Sequence, residues 1–241
     1  MTGLASHRMH ACGGFGPVWT GGLVCLALLI QTGTLRADDA DLCIAAAQSA
    51  SAGSGVPLSV LLAITQTETG RGQAGATRPW PWTVNMEGEG HWFDTRDAAL
   101  SFVLEQYNRG ARSFDIGCFQ INYRWHGENF ASISDMFDPA TNAAYAARFL
   151  SDLQSETGDW SAAAGAFHSR TEVYATRYRA TFDRFHQAAI AAGADDGRLD
   201  SGAGLLLAAA DATTLPRTNS FPLLQISSGQ RTLGSLVPLS P

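Results

Sequence analysis

The chain has 241 residues, 45% hydrophobic and 16% charged. That is room for one compact domain with appendages at ~100–200 residues per domain, and it excludes a fibre or a wholly disordered chain. A formal net charge of −6 with no basic stripe leaves nothing to track a phosphate backbone, so no nucleic-acid partner is expected.

The first forty residues read differently from the rest. His7, Arg8 and His10 precede an apolar stretch from Phe15 to Ile30, and a polar break leads to Leu35-Arg36-Ala37. This is the layout of a secretory signal peptide over residues 1–37, cleaved after Ala37, which predicts a periplasmic protein beginning at Asp38. An uncleaved anchor is the alternative, although the run is shorter than the ~20 residues a spanning helix needs. Cleavage removes Arg8 and Arg36 and no acid, moving the formal charge from −6 to −8. It also removes Cys12 and Cys25, so Cys43 and Cys118 remain in an oxidising compartment. A pair is what one disulfide requires, with two free buried thiols as the alternative. A bridge would close a loop of about 75 residues, worth up to ~4 kcal/mol. His91, His126, His168 and His186 show no ligand spacing with either cysteine, and no metal or cofactor is expected.

From residue 38 to 191 the signals are mostly helical. An Ala-rich helix over Asp41–Ala52 is stopped by Gly53 and Gly55. The next starts at Pro57 and carries Leu58, Leu61, Leu62 and Thr65 at helical spacing up to Glu68, with Gly70 following. The stretch Trp82–Asn85, a Gly-containing turn and His91–Phe93 read as a short β-hairpin. A third helix runs from a Thr95 cap to Gly110. A fourth starts at Asp138-Pro139, with Ala143, Ala147, Leu150 and Leu153 inward. Two more cover Trp160 to about Phe167 and Glu172 to about Ala188, the last presenting Tyr174, Tyr178, Phe182 and Phe185. Residues 192–241, rich in Gly, Ala, Ser, Leu and Pro, read as a flexible tail. Its apolar clusters Leu205–Ala210 and Phe221–Ile226 suit contact with a partner or no role at all.

Glu68 stands out on spacing. It follows Leu61 by seven residues and Thr65 by three, so it projects from the inner stripe of its helix. Desolvation there, and the negative end of the helix dipole, both raise a carboxyl pKa. A carboxyl kept protonated near neutral pH is what a general acid for glycoside cleavage must be. The competing reading is a Glu turned outward as the helix frays at Gly70.

Three segments bear on that choice. Leu61–Gly70 resembles the catalytic helix of the soluble lytic transglycosylases, an apolar run ending in Glu-Ser. Asp115-Ile116-Gly117-Cys118-Phe119-Gln120-Ile121-Asn122 is similar to their Gly-Leu-Met-Gln-Ile-Asn segment, and Ala166-Phe167-His168-Ser169-Arg170 to their Ala-Tyr-Asn-Ala-Gly segment. Tyr178, with Tyr174 as fallback, matches the family's late Tyr beside the acid. The resemblance spans about 43–185 in the family's order. It implies a mainly α, lysozyme-like transglycosylase domain with a short β-hairpin, acting on peptidoglycan glycan strands through Glu68 alone. Small members of the family serve secretion or flagellar machines, and such an apparatus is a candidate partner.

Position within these motifs implies further roles. Gly117 would let the backbone pass close to the sugar, Phe119 and Gln120 would line the groove with Asn122, Phe167 and His168, and Tyr178 would orient Glu68. Asn85 is a candidate glycan contact, and Trp80, Trp82 and Trp92 offer flat faces for sugars or for ordinary packing. His168 stands where the family has Asn, Arg170 where it has Gly, and Thr69 where it has Ser. Two other readings remain. A hydrolytic muramidase would need a second carboxylate, for which Asp115, Asp94 and Glu89 are the candidates. A wall-binding accessory protein would need no acid at all.

Overall fold

The computed structural model describes residues 39–73 and 76–196. The expected signal peptide and the apolar clusters of the tail lie outside the described residues.

Helix α1 (Asp39–Ser54) lies against the long α6 (Pro139–Thr157). Small side chains allow this: Ala46, Ala47 and Ala50 on one helix and Ala143, Ala146 and Ala147 on the other are all buried. Helix α2 (Leu58–Thr69) runs through the middle of the domain, with every residue from Ser59 to Thr69 buried. Residues 58–64 are apolar apart from Ser59, and the polar side chains that follow, Thr65, Gln66, Thr67 and Thr69, are hydrogen-bonded, so the helix can be central without a solvent face. Val60, Leu61, Leu62 and Ile64 are each fully buried, contributing about 1.5–3 kcal/mol apiece. On its flanks sit α8 (Glu172–Ala191) and, packed on α8 and α6, α7 (Trp160–His168).

The expected caps are present. Thr95 accepts from the Ala98 amide at the start of α3 (Arg96–Asn108), and Asp138 from the Thr141 amide ahead of Pro139. Helix α2 has no side-chain cap of its own at Pro57. The cap comes from the other end of the domain: Asp195 Oδ1 accepts from the Ser59 amide at 2.8 Å and Oδ2 from the Ser59 hydroxyl at 2.6 Å. The packed chain therefore continues past residue 191, through a 3-10 turn at Ala194–Asp196, because that turn carries the cap.

The hairpin, β3 (Thr83–Met86) and β4 (Glu89–Trp92), turns through Glu87 and Gly88, both at positive φ. It is half of a larger unit. Strands β5 (Phe114–Ile116) and β6 (Ile121–Asn122) extend it into a four-stranded antiparallel sheet of order β4-β3-β5-β6. A separate small hairpin, β1 (Arg71–Gln73) with β2 (Ala76–Arg78), follows α2. Gly70 permits that exit, since a Cβ there would lie 2.3 Å from the Gln66 carbonyl oxygen and 2.6 Å from Thr77 Cγ2. Short helices α4 (Tyr123–His126) and α5 (Ile133–Met136) lead from the sheet to α6.

Cys43 on α1 and Cys118 in the β5–β6 turn form the expected disulfide, with a Cα–Cα distance of 5.5 Å. It ties the turn carrying the second sequence motif to the helical layer.

Candidate active site

Glu68 ends the central helix and is 5% exposed. The outward, frayed alternative does not occur, because α2 continues to Thr69 and is held on both sides. Thr65 Oγ1 donates to the Cys118 carbonyl at 2.8 Å, and Gln66 Nε2 to the Thr77 carbonyl at 3.0 Å. The Thr69 hydroxyl donates to the Thr65 carbonyl at 3.0 Å and accepts from the Trp80 amide at 3.2 Å. The hydroxyl that Thr shares with Ser is thus in use.

Tyr178 on α8, 1% exposed, donates its hydroxyl to Glu68 Oε1 at 2.8 Å. Tyr174, the fallback, lies one turn earlier and is 38% exposed. The other carboxyl oxygen, Oε2, is buried with no hydrogen-bond partner among the described residues. Burial pushes the Glu68 pKa from 4.5 up to about 8; the Tyr178 hydrogen bond works against the shift and the nearby Asp115 adds to it.

Glu68 opens into a narrow cleft lined by Asp115, Gln120, Ile121, Asn122, His126, Phe149, Phe167 and His168. The sheet supplies one wall. Cross-strand pairing sets Asn85, Asp115 and Asn122 in one row over β3, β5 and β6. Asp115 Oδ2 accepts from Asn85 Nδ2 at 2.9 Å and Oδ1 from Asn122 Nδ2 at 2.7 Å. Burial raises the Asp115 pKa from 3.8 to about 6, with the Asn122 and Asn85 hydrogen bonds opposing. Asn85 therefore backs Asp115 from within the sheet and is not among the lining residues.

Gln120 sits at φ 45°, a left-handed conformation unusual for a side chain that large. Its Nε2 donates to the carbonyls of Thr83 and Gly117, both at 3.0 Å, leaving its carbonyl oxygen as the group it offers to the cleft. Asn142, fully buried on α6, holds this turn in shape. It accepts from the Phe119 amide at 2.9 Å and donates to the Ile116 and Met136 carbonyls at 3.1 and 3.0 Å. Gly117, at φ 79°, makes its close approach to this side chain, as a Cβ would lie 3.1 Å from Asn142 atoms. The close packing at Gly117 is thus internal, not against an open groove. Phe119 is also displaced from its expected place: it is fully buried in the core, because the turn points its ring inward.

The opposite wall is helical. Phe167 and His168 end α7, and Phe149 from α6 meets Phe167 with ring centroids 5.5 Å apart. His168 stacks on Tyr178 at 4.6 Å, with planes 10° apart. Burial lowers its pKa to about 4, so the ring is neutral, and its Nδ1 is buried without a partner among the described residues. Arg170, the other departure in this motif, turns away and pairs with Glu156 at the end of α6. None of the three hairpin tryptophans lines the cleft. Trp82 is buried in the core, and Trp80 Nε1 is tied to the Phe93 carbonyl at 2.8 Å. Glu89 and Asp94 are exposed and outside the cleft, which leaves Asp115 as its second carboxyl.

A further hollow lies beyond Phe149, lined by Asn129, Tyr145, Arg148 and Asp152 among others, and holds no buried carboxyl. In the Glu68 cleft, by contrast, a buried carboxyl of raised pKa, a phenol and a carboxyl held by two amides converge.

The sequence signature described as the transglycosylase SLT domain matches residues 45–182, more than half of the chain. The chain belongs to this family. By domain type it is a peptidoglycan lytic transglycosylase, with the lysozyme-like, mainly helical fold of that class. No curated protein and no solved structure gives a significant match. The SLT match runs from α1 to Phe182 and so contains Glu68, the whole sheet and Tyr178.

Asn142, His126 and Phe149 fall outside the sequence motifs, and Ile121 lies inside the second motif without a role assigned there. Asn142 had a signal: a polar residue at the inward spacing of Ala146, Leu150 and Leu153 asks for buried partners. His126 and Phe149 are ordinary types whose place depends on how α4 and α6 approach the sheet, and Ile121 lines the cleft from β6.

Proposed function

We propose that the protein cleaves the MurNAc-β-1,4-GlcNAc bond of peptidoglycan without water, with Glu68 acting first as acid and then as base. The observation that carries this reading is the Glu68 carboxyl itself, buried at the head of a cleft, bonded to Tyr178 and held protonated to about pH 8. In the first step Glu68 protonates the glycosidic oxygen, and the acetamido carbonyl of the muramoyl residue shields C1 as the bond breaks. Glu68, now a carboxylate, takes the proton from the muramoyl 6-hydroxyl. That oxygen closes on C1 to give a 1,6-anhydro end. Gln120, Asn122, Phe167 and His168 are assigned to holding the sugars, and Tyr178 to keeping Glu68 in one rotamer.

Glu68→Gln keeps the volume and removes the proton source, so it should clear no peptidoglycan in a zymogram while still sedimenting with sacculi. Clearing by this variant would refute the assignment. Lost clearing with an intact biological role would favour the wall-binding reading.

One observation favours a second chemistry: Asp115 is a carboxyl in the same cleft and could activate water, as a hydrolytic muramidase requires. Reducing muramic ends would support it. Export to the periplasm rests on the pattern in residues 1–37, and mass analysis of the secreted chain tests it. Service to a secretion or flagellar apparatus rests on the small size of the domain, and cross-linking in the envelope tests it.

A further inference from the structure

The single-acid scheme leaves Asp115 without a task. It is 5% exposed, and burying a carboxyl costs several kcal/mol unless it is well bonded. Two amides from neighbouring strands meet that cost, one on each oxygen. A carboxylate has about four acceptor sites, so each oxygen keeps a lone pair for another donor. The rest of the wall is acceptor-rich too: Asn122 Oδ1 is buried with no partner among the described residues, and the Gln120 carbonyl is left over by its amide. No Arg or Lys among the described residues lines the cleft. The titratable groups that face it are Glu68 on α2, Tyr178 on α8, His168 on α7, His126 on α4 and Asp115 itself. A site of this kind selects an N–H donor that gains positive charge during the reaction.

The muramoyl 2-acetamido group is such a donor, and it sits on the carbon next to C1. We propose that Asp115 is a second catalytic residue, accepting the acetamido N–H and stabilising the positive charge that forms there. This rests on the role given to Glu68 above. The acetamido oxygen attacks C1 and forms the C1–O bond of an oxazolinium ring. The bond to the leaving oxygen breaks with its electron pair, and that oxygen takes the Glu68 proton. The N–H proton stays on nitrogen, hydrogen-bonded to the Asp115 carboxylate. The 6-oxygen then attacks C1, the oxazolinium C1–O bond breaks back to the amide, and the 6-hydroxyl proton returns to Glu68. Asp115 ends unchanged, and no water or oxidant enters. Fixed charge aimed at developing charge acts mainly on the transition state, so kcat and not KM should carry the effect.

The test uses the mature protein and Asp115→Asn on purified glycan strands, followed over pH with product analysis. The wild type should show activity that falls below about pH 6, where Asp115 takes up a proton, and above about pH 8, where Glu68 loses its own. In Asp115→Asn kcat should drop about 10²-fold with KM within about threefold. The acid limb should vanish and the upper limb should move to lower pH, because a negative neighbour of Glu68 is gone. A merely structural role would leave the acid limb in place, while the upper limb moves in either case because the charge beside Glu68 is lost. The acid limb of the wild type stands even if the variant fails to fold, and its absence overturns the proposal. Anhydro products with near-normal kcat in Asp115→Asn overturn this proposal and leave Glu68 standing. An inactive wild type overturns the Glu68 reading, and reducing ends overturn both by making Asp115 a base for water.

Discussion

The Tyr178 hydroxyl lowers the Glu68 pKa, while burial and Asp115 raise it. Removing the hydroxyl therefore moves Glu68 further up. Tyr178→Phe is expected to shift the upper limb of the pH profile to higher pH and to reduce kcat about tenfold through lost orientation of the acid. An unshifted limb would mean that the 2.8 Å contact has no hold on the proton. Burial also has a cost in stability. With a folded-state pKa near 8 against an ordinary 4.5, the folded protein keeps a proton that the unfolded chain has released. Between those values the folded state binds more protons, so this residue's contribution to stability falls as pH rises. Gln carries no such penalty. Thermal melts should show Glu68→Gln gaining on the wild type from pH 4.5 to 8, with no gain below that window.

At the scale of elements, the second motif works because three separate pieces fix it: the Cys43 bridge, the Thr65 hydroxyl and the Asn142 side chain. Asn142→Ala would leave the Phe119 amide and two buried carbonyls unpaired. It should cost about 2–4 kcal/mol in chemical unfolding and loosen Gln120. A loss of only a few tenths would mean the turn holds itself. The helices and their caps at Thr95 and Asp138 were legible in the sequence because they rest on local chemistry: apolar spacing, capping side chains and Pro at the first turn. The hairpin was legible for the same reason. Strands β5 and β6 were not. They are three and two residues long and are strands only through pairing, β5 with β3 and β6 with β5, which no local pattern announces. Glu68, Tyr178, Gln120 and His168 could be located by motif, whereas the direction of Phe119 could not. A left-handed Gln120 beside a left-handed Gly117 decides which way the intervening side chains face, and that is a property of the folded turn.

At the scale of the whole molecule, the α2 helix is held from three directions, by α8, by the β5–β6 turn and by the Asp195 cap. The disulfide joins residues 75 apart. By the chain-entropy account its reduction should remove up to about 4 kcal/mol, read as a lower unfolding midpoint in reductant. An unchanged midpoint would show that packing of α1 on α6 alone carries the link. The products of the reaction distinguish anhydro closure from hydrolysis. Purified sacculi digested with the mature protein, and separately with Glu68→Gln, should be compared by mass analysis of the released muropeptides. The wild type should release 1,6-anhydro muramoyl ends, one water lighter than reducing ends, and the variant none. Reducing ends from the wild type, or anhydro ends from the variant, would contradict it.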